Sequence, residues 1–433
     1  MALIRRKFLI GMGGLAAASI PRILIAQKSR LSVGVVGGGI IGASIALHLA
    51  QAGVAVMVFE KTEPASGATS KSFAWINAFS DRPNYRELRM QSLSLYHQLD
   101  KQLQLDITWG GSLTWESDPD AAAKLTATAI DYDRTGYPTR VLNAEDFAEL
   151  APNLKTGPFE AAIFAGLDGH LDPVSVTHRL LQQAEKYGAR VIYPCEVTGL
   201  DYSGNRLTGV STTTGKYSLD RLVIAGGVDT PSVAAMVDYV PPLRHAPGIL
   251  AHSTPVQSLT RMVNEGPTAH FKQMSNGRIV GADSTYAPDT PSHHEILQKH
   301  RDFPDAATRT MHGQRILDKI TTILPGARSA KLERLTLGFR PMPEDGLPIV
   351  GFVPGSSDVY IAVMHSGVTL APVMGQYISR EILDDISVDS LAPYRPTRFA
   401  GLRAQNIDAA ETFDKIEEIR PFGDRMEPVQ LQD

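Results

Sequence analysis

Three glycines, Gly37, Gly39 and Gly42, stand between two apolar stretches near the start of the chain, and they restrict its possible folds more than any other feature. Ser32–Val36 are small or β-branched, as in a buried parallel strand. The segment that the glycines open has apolar residues at helical spacing. The region therefore predicts a strand, a tight turn and a helix in immediate succession.

Each glycine of this motif has a physical role. Gly37 allows the tight turn, Gly39 lets the backbone approach a pyrophosphate, and Gly42 lets helix and strand pack closely. The N–H groups at the start of the helix attract phosphates. A second predicted strand, residues 54–59, ends in Glu60, whose carboxylate can accept hydrogen bonds from both ribose hydroxyls. The segment predicts a dinucleotide-binding domain.

The bulk composition excludes several classes of protein. A chain of 433 residues suggests about two domains. Its net charge of -4 provides no excess of positive charge to attract a nucleic acid, so no nucleic-acid partner is expected. The single cysteine, Cys195, excludes an intrachain disulfide and a cysteine-rich metal site. No metal ligand set is predicted.

Residues 1–30 have the features of an export signal. Arg5 and Arg6 precede Lys7-Phe8-Leu9 and a weakly apolar run diluted by glycine and alanine. This pattern resembles a twin-arginine signal, which implies a periplasmic protein and the twin-arginine export machinery as a partner. The alternatives are a disordered basic extension or an uncleaved segment that retains the protein at the inner membrane.

The glycine motif alone does not distinguish FAD from NAD. The segment after Glu60 is rich in small and hydroxyl residues, where an NAD domain would normally continue into another helix and strand. Much later, residues 359–363 read as a strand, followed by a short loop and a helix beginning near Val368. The N-terminus of that helix could stabilise negative charge on a reduced flavin. Two distant segments are thus predicted to meet on one cofactor.

Six further segments occur in a characteristic order. They are "WGGSLTWESDPD" (109–120), "GHLDPVSVTHRLLQQAEKYGARVIYPCEVTGL" (169–200), "DRLVIAGGVDTPSVA" (220–234), "GFRPMPEDGLPIVG" (338–351), "HSGVTLAP" (365–372) and "PYRPTRF" (393–399). With the glycine motif, they make the chain from about Ser32 to Phe399 resemble the FAD-dependent D-amino-acid-oxidase-like oxidoreductases, which include glycine oxidase, sarcosine oxidase and D-amino-acid dehydrogenase.

The resemblance implies an α/β fold with a discontinuous Rossmann-like FAD-binding domain and a mixed-sheet α+β substrate domain. The predicted division assigns 1–30 to the signal and 400–433 to a C-terminal tail. The FAD-binding domain comprises 31–85, 151–235 and 331–399, and the substrate domain comprises 86–150 and 236–330.

FAD is expected to be held noncovalently, because Cys195 lies away from the expected attachment point and no histidine occurs between Ser66 and Asn77. The residues predicted to bind it are Gly37, Gly39, Ile40, Ile41, Gly42, Glu60, Lys61, Ser66, Thr69, Ser70, Val197, Gly226, Gly346, His365, Ser366, Gly367, Val368 and Thr369.

The resemblance also implies the reaction and one substrate-binding residue. A flavin removes hydride from a carbon that bears an amine, so the protein must hold that carbon over flavin N5. Arg340, in a "G-x-R-P" run before "D-G-x-P", matches the arginine that binds the substrate carboxylate in glycine-oxidase-like members. His365 is expected to contact the flavin without serving as a base. The expected substrate is a small amine or amino acid: a D-amino acid, glycine or an N-alkyl amino acid.

Several points stay open at the level of sequence. Ile279 stands where sarcosine-oxidase-like members carry an oxygen-activating lysine, so the electron acceptor is not identified. Lys272 and Arg244 fall on predicted strands whose faces cannot be assigned, and a solvated or interdomain position is expected for both. The alternatives to C–N oxidation are an FAD-dependent 2-hydroxy-acid dehydrogenase and a flavin-binding protein without turnover.

Overall fold

The structure, a computed structural model, describes residues 31–284 and 305–399. The signal predicted at 1–30 and the tail predicted at 400–433 lie outside the described residues. Among the helices of the described ranges, none combines the length and the apolar character that a bilayer span requires.

The strands within these ranges are β1 (Ser32–Val36), β2 (Ala55–Phe59), β3 (Trp75–Ile76), β4 (Ile107–Thr108), β5 (Ser112–Glu116), β6 (Thr139–Leu142), β7 (Ala161–Ala165), β8 (Gly169–Leu171), β9 (Arg190–Ile192), β10 (Val197–Ser203), β11 (Arg206–Thr212), β12 (Gly215–Ser218), β13 (Arg221–Ile224), β14 (Leu243–Ser253), β15 (Val263–Glu265), β16 (Ala269–Gln273), β17 (Ile279–Asp283), β18 (Leu332–Pro343), β19 (Ile349–Phe352) and β20 (Val359–Val363).

The α-helices within the same ranges are α1 (Ile40–Gln51), α2 (Pro83–Leu103), α3 (Pro119–Arg134), α4 (Ala144–Leu150), α5 (Pro173–Lys186), α6 (Thr230–Ala234), α7 (Ala306–Ile323) and α8 (Gly367–Asp384).

A six-stranded sheet has the order β19-β20-β13-β1-β2-β9. Every neighbouring pair is parallel except β19 and β20. Its central strand β1 is almost wholly buried, as expected for a parallel strand with both faces covered. The carboxyl ends of β1, β2, β13 and β20 therefore meet at one edge, where ligands bind in open α/β sheets.

Helices cover this sheet closely. The buried side chains of α1, α5 and α8 belong to one apolar cluster with β1 and β2. Gly375 of α8 is essential to that packing, since a Cβ there would lie 2.3 Å from Ser44 Oγ on α1. The close approach brings the N-terminal ends of α1 and α8 to the same sheet edge.

An eight-stranded sheet has the order β18-β14-β17-β16-β15-β5-β7-β6. It is mixed, because β15 and β5 are parallel whereas its other pairs are antiparallel. Helix α7 packs on it through buried residues such as Ile316 and Ile320. Two smaller sheets have the orders β10-β11-β12 and β3-β8-β4.

Two strands lie in a different sheet from the one that the predicted domain division implied. β7 and β18 fall within ranges assigned to the FAD-binding domain, yet both belong to the eight-stranded sheet. β7 pairs with β5 and β6, and β18 pairs with β14 along its length. The partners of a strand are distant in sequence, so its own residues do not reveal them.

A buried ionic cluster holds the last described segment against the parallel sheet. The Glu381 carboxylate of α8 accepts hydrogen bonds from the Arg395 guanidinium, from Tyr360 Oη and, at 2.7 Å, from the Val388 N–H. Glu381 is buried and Arg395 is only 21% exposed. Removing one partner of such a pair leaves the other charge buried without compensation.

Arg395→Met is therefore expected to destabilise the protein by about 3–5 kcal/mol. The comparison is Arg206→Met, because Arg206 pairs with Asp220 at 3.4 Å with 73% of its side chain exposed. That change is expected to cost at most about 1 kcal/mol. Thermal unfolding of the FAD-loaded proteins measures both effects, and equal shifts in midpoint would refute the assignment.

Candidate active site

The glycine loop after β1 is packed too tightly for side chains at two positions. Gly37 has φ +104°, its N–H donates to Phe59 O at 2.8 Å, and a Cβ there would lie 2.5 Å from Ala225 O. A Cβ on Gly42 would lie 2.0 Å from Gly37 O. Glycine is required at both positions, so the loop has the shape that the sequence motif predicted.

The N-terminus of α1 has free capacity for an anion. Its N-cap residue is Gly39, which has no side chain to form a capping hydrogen bond. The Ile40 N–H donates to Thr69 Oγ1 at 3.1 Å, whereas the N–H groups of Ile41 and Gly42 lie in the first turn, where an α-helix supplies no partner. These groups and the helix dipole fit a pyrophosphate, with Thr69 beside it.

Glu60 lies directly at the end of β2 and is buried. Oε2 accepts the Gly38 N–H at 2.8 Å, and Oε1 accepts the Thr62 N–H at 2.9 Å. Oε1 also accepts Thr62 Oγ1 at 3.2 Å, so of the about four lone-pair positions of the carboxylate, Oε2 retains one for a ribose hydroxyl. The Cys195 N–H donates to Glu60 O at 2.7 Å. Val197, two residues further along the chain, packs in the apolar cluster that includes Phe59.

The other polar residues predicted in this region mainly contact one another. Lys61 Nζ lies 2.8 Å from Asp229 Oδ2, and both side chains are about half exposed. Ser66 Oγ hydrogen-bonds with Thr62 Oγ1, and Ser70 Oγ donates to Ser66 O. Contact of Lys61, Ser66 and Ser70 with a cofactor stays a prediction.

The second predicted segment reaches the same sheet edge. Ser366 is the N-cap residue of α8 and, like Gly39, makes no side-chain capping bond. A Cβ on Gly367 would lie 3.3 Å from Ile41 Cγ1, so the starts of α8 and α1 are adjacent. Gly226 follows β13, with its Cα 3.3 Å from a Cβ built on Gly37. The structure thus brings these predicted positions together.

Helix α2 and β3 fix the beginning of α8. Tyr96 Oη donates to Val368 O at 2.5 Å, and Ser92 Oγ donates to Thr369 O at 2.6 Å. Thr369 Oγ1 donates to Trp75 O at 3.1 Å. The first turn of α8 is therefore held by hydrogen bonds from outside the helix, which positions its N–H groups.

Arg340 lies on β18, next to β14. Its Nε donates to Ala246 O at 3.3 Å and one Nη2 hydrogen donates to Pro247 O at 3.1 Å. Within the described ranges, no acidic side chain forms an ion pair with it. Burial and the nearby Arg244 lower the pKa of the guanidinium.

Further along the chain, Gly346 has φ +74° and its N–H donates to Pro343 O, which forms the turn into β19.

His365, just before α8, is neutral in these surroundings. Burial, together with the positive charges of Arg340, Arg89 and Arg244, lowers its pKa to about 3. A histidine with this pKa is a weak base. This environment supports the expectation that His365 does not act as a base, and its contact with a flavin stays a prediction.

Three basic residues that the sequence did not orient lie in or beside this region. Arg89 of α2 is buried and donates to Asn77 O and Asn77 Oδ1. Lys272 is 1% exposed, so of the two expected positions the solvated one is wrong. It donates to Leu171 O at 2.9 Å, a contact between the two predicted domains. Arg244 is half-buried. For Lys272 and Arg244, the alternation of residues along their strands was the sequence pattern that could have indicated their orientation, but alternation does not tell which face of a strand is buried.

Asp168 joins three side chains behind β3. Its Oδ2 accepts Trp75 Nε1 at 3.0 Å and Ser112 Oγ at 2.7 Å, and its Oδ1 accepts Tyr137 Oη. Asp168 is fully buried, and burial raises its pKa to about 7. Because Trp75 O also accepts Thr369 Oγ1, this cluster supports the segment on which α8 begins.

The raised pKa gives a pH signature. Folded Asp168 retains its proton up to about pH 7, whereas the unfolded carboxyl loses it near pH 4, so its stabilising contribution is complete below about pH 4 and declines up to about pH 7. The difference in thermal midpoint between wild type and Asp168→Asn is expected to fall across this interval. For Asp131→Asn the difference should stay level there, because Arg134 lowers the pKa of Asp131. A level difference for Asp168→Asn would contradict the assignment.

Comparison with known proteins agrees with this geometry. The model of the FAD dependent oxidoreductase family (DAO) matches residues 32–381. The mitochondrial dimethylglycine dehydrogenase of Rattus norvegicus is 25% identical over 393 residues, which cover 86% of this chain but 45% of the relative, so the chain spans less than half of that protein. The glycine oxidase of Geobacillus kaustophilus is 26% identical over 389 residues, covering 86% of this chain and 98% of the relative.

The crystal structure of L-proline dehydrogenase from P. horikoshii superposes with a TM-score of 0.76 at 22% identity and covers 86% of this chain and 98% of the other. The fold and the site define a flavin-dependent oxidoreductase. The chain belongs to the FAD dependent oxidoreductase family. The predicted fold class, enzyme class and FAD cofactor are confirmed.

Proposed function

We propose that this enzyme oxidises the C–N bond of an amino acid, either a primary amino acid or an N-alkyl amino acid. The α-carbon of the neutral amine loses a hydride, the amine becomes an iminium ion, and water hydrolyses the iminium ion to a carbonyl compound and an ammonium ion. Bound FAD supplies the two-electron oxidant. The observation that carries this proposal is Arg340, a half-buried guanidinium without an acidic partner in the described residues, whose charge acts on His365.

Arg340 is suited to hold a substrate carboxylate. Two of its five N–H groups donate to Ala246 O and Pro247 O, which fix the guanidinium in place. Two N–H groups on Nη1 and one on Nη2 remain for a ligand. A bidentate contact with a carboxylate sets orientation as well as charge, and it would orient the α-carbon next to it.

The charges around the site favour the reactive form of an amine. Arg340, Arg89 and Arg244 all act on His365 and lower its pKa, so the surroundings of His365 are positive. A positive environment lowers the pKa of a bound ammonium group. The substrate would therefore bind more readily as the neutral amine, whose lone pair can assist the departure of hydride, and no protein base is needed.

The names of the relatives support the same chemistry. Glycine oxidase and dimethylglycine dehydrogenase are named for an amino acid and an N-alkyl amino acid, and L-proline dehydrogenase for a secondary amine. Each of these names describes the relative that carries it.

The deciding test is anaerobic reduction of the purified flavoprotein. Glycine, D- and L-amino acids, N-methyl amino acids and 2-hydroxy acids are each mixed with it while the oxidised-flavin absorbance is followed. We expect loss of absorbance with one class of amine. Reduction by hydroxy acids alone would identify a 2-hydroxy-acid dehydrogenase, and reduction by none of these compounds would favour a flavin-binding protein without turnover. Acid precipitation should release FAD into the supernatant if it is held noncovalently.

We also propose that the enzyme is exported to the periplasm by the twin-arginine route after FAD has been bound. The support is the Arg5-Arg6 pair before a weakly apolar run. Export of a folded protein would allow the cofactor to be loaded beforehand. Changing Arg5 and Arg6 together to lysine should leave flavoprotein in the cytoplasm. Mature periplasmic protein without FAD, or export unaffected by the change, would argue against this route.

A further inference from the structure

Two arginines share one face of a regular two-stranded ladder. Strands β14 and β18 are antiparallel, with Ala246 opposite Arg340 and Arg244 opposite Met342. Alternate residues of a strand point to the same face, so Arg244 and Arg340 are diagonal neighbours on one face. Diagonal positions lie about 7–8 Å apart, within reach of long side chains. The two side chains can therefore reach toward the same space, and the charge of Arg244 acts on Arg340.

The same face is closed on the other side of Arg340. Gly248 lies opposite Gly338, and neither residue carries a side chain. Arg340 Nε lies 3.9 Å from a Cβ built on Gly248, and Lys71 Cβ lies 2.6 Å from a Cβ built on Gly338. The space beyond Arg340 is thus taken by the protein, so a ligand that extends past Arg340 along this face extends toward Arg244.

The charges are consistent with this arrangement. The positive charge of Arg244 acts on Arg340, and both arginines act on His365 at the start of α8. Like charges brought together in a half-buried site repel each other. A ligand with one carboxylate on Arg340 would bring its negative charge to that guanidinium. A second acidic group on the same ligand would also bring negative charge to Arg244.

We propose that Arg340 and Arg244 together select a substrate with two acidic groups, namely an amino acid or N-substituted amino acid that carries a second carboxylate. Arg340 binds the carboxylate next to the reacting carbon, and Arg244 binds the second one. This inference rests on the proposed C–N oxidation and names its substrate class. The bond changes are those given above, with FAD as the two-electron oxidant.

The test compares substrates that differ only by the second carboxylate. Sarcosine is paired with iminodiacetate, and D- and L-alanine with D- and L-aspartate, in anaerobic flavin reduction under pseudo-first-order conditions. The measured quantity is the ratio of the apparent second-order rate constants within each pair. We expect at least one dicarboxylate to exceed its partner by about 10- to 100-fold, the effect of one further charge-assisted contact. In Arg244→Met, that ratio should fall to near one.

Several results would overturn the inference. A monocarboxylate that reduces the flavin as fast as its dicarboxylate partner refutes the substrate class while the proposed C–N oxidation stands. A ratio that survives in Arg244→Met refutes the role of Arg244. If no amine of either series reduces the flavin, the proposed function fails and this inference fails with it.

A binding measurement on the wild-type enzyme keeps the inference testable if Arg244→Met does not fold or lacks FAD. Malonate and succinate are titrated against acetate and propionate, and the change in the flavin spectrum reports binding. We expect the dicarboxylates to bind more tightly by a similar factor of about 10 to 100, and equal affinities would overturn the inference. Arg244→Lys, which keeps the charge without the planar fork, should retain part of the preference.

Discussion

Arg340→Met is expected to lower kcat/KM for the amino-acid substrate by about 10²–10³-fold, because truncating one partner of a buried charged contact costs about 2–5 kcal/mol. The loss should arise from binding and orientation together, since the guanidinium fixes the carboxylate at the carbon that reacts. FAD content and the oxidised-flavin spectrum should stay close to wild type. Steady-state kinetics and single-turnover flavin reduction measure the effect.

Two further variants separate this role from general effects of charge. Arg340→Lys keeps the positive charge but not the fork of donors, so it should recover only part of the activity. Arg334→Met removes an exposed arginine from the same strand, β18, and should leave kinetics near wild type. If Arg340→Met turns over normally, the carboxylate is bound elsewhere. If Arg334→Met is equally impaired, the loss reflects the strand as a whole.

Gly42→Ala is expected to weaken FAD binding by about 10- to 100-fold, because overpacking typically costs about 1–3 kcal/mol. The added Cβ would lie 2.0 Å from Gly37 O, a backbone atom that no side-chain rotation can move away. Relief requires a shift of the glycine turn or of the start of α1, and both carry N–H groups assigned to the pyrophosphate. The ratio of flavin to protein after purification and a titration of apoprotein with FAD give the affinity.

The matched control is Gly199→Ala on β10. A Cβ at that position comes no closer than 3.8 Å to another atom, Ser211 Cβ, which is an ordinary contact. This protein should be purified with a normal FAD content. Full FAD occupancy in Gly42→Ala would show that the turn tolerates the added atom. Loss of FAD in Gly199→Ala would show that flavin content follows general stability rather than the shape of the glycine loop.

Much of the cofactor region could be predicted because its determinants are local. The turn at Gly37, the start of α1 and the position of Glu60 at the end of β2 all lie within 24 residues of one another in the chain, from 37 to 60. A positive φ requires glycine, helical spacing marks α1, and a strand end positions its terminal side chain. Arg340 was identified through a motif shared with a family, and its role remains a proposal.

The sequence by itself determined the glycine turn and the α/β class, because short-range backbone conformation and periodicity depend on neighbouring residues. The enzyme family was identified through the resemblance of motifs in a characteristic order. Only the tertiary structure decided that β7 and β18 join the eight-stranded sheet, that Lys272 is buried, and that Arg244 shares a face with Arg340. Strand alternation divides residues into two faces but does not say which partner covers each face. That assignment depends on hydrogen bonds and packing between segments that are far apart in the chain, as between β14 and β18.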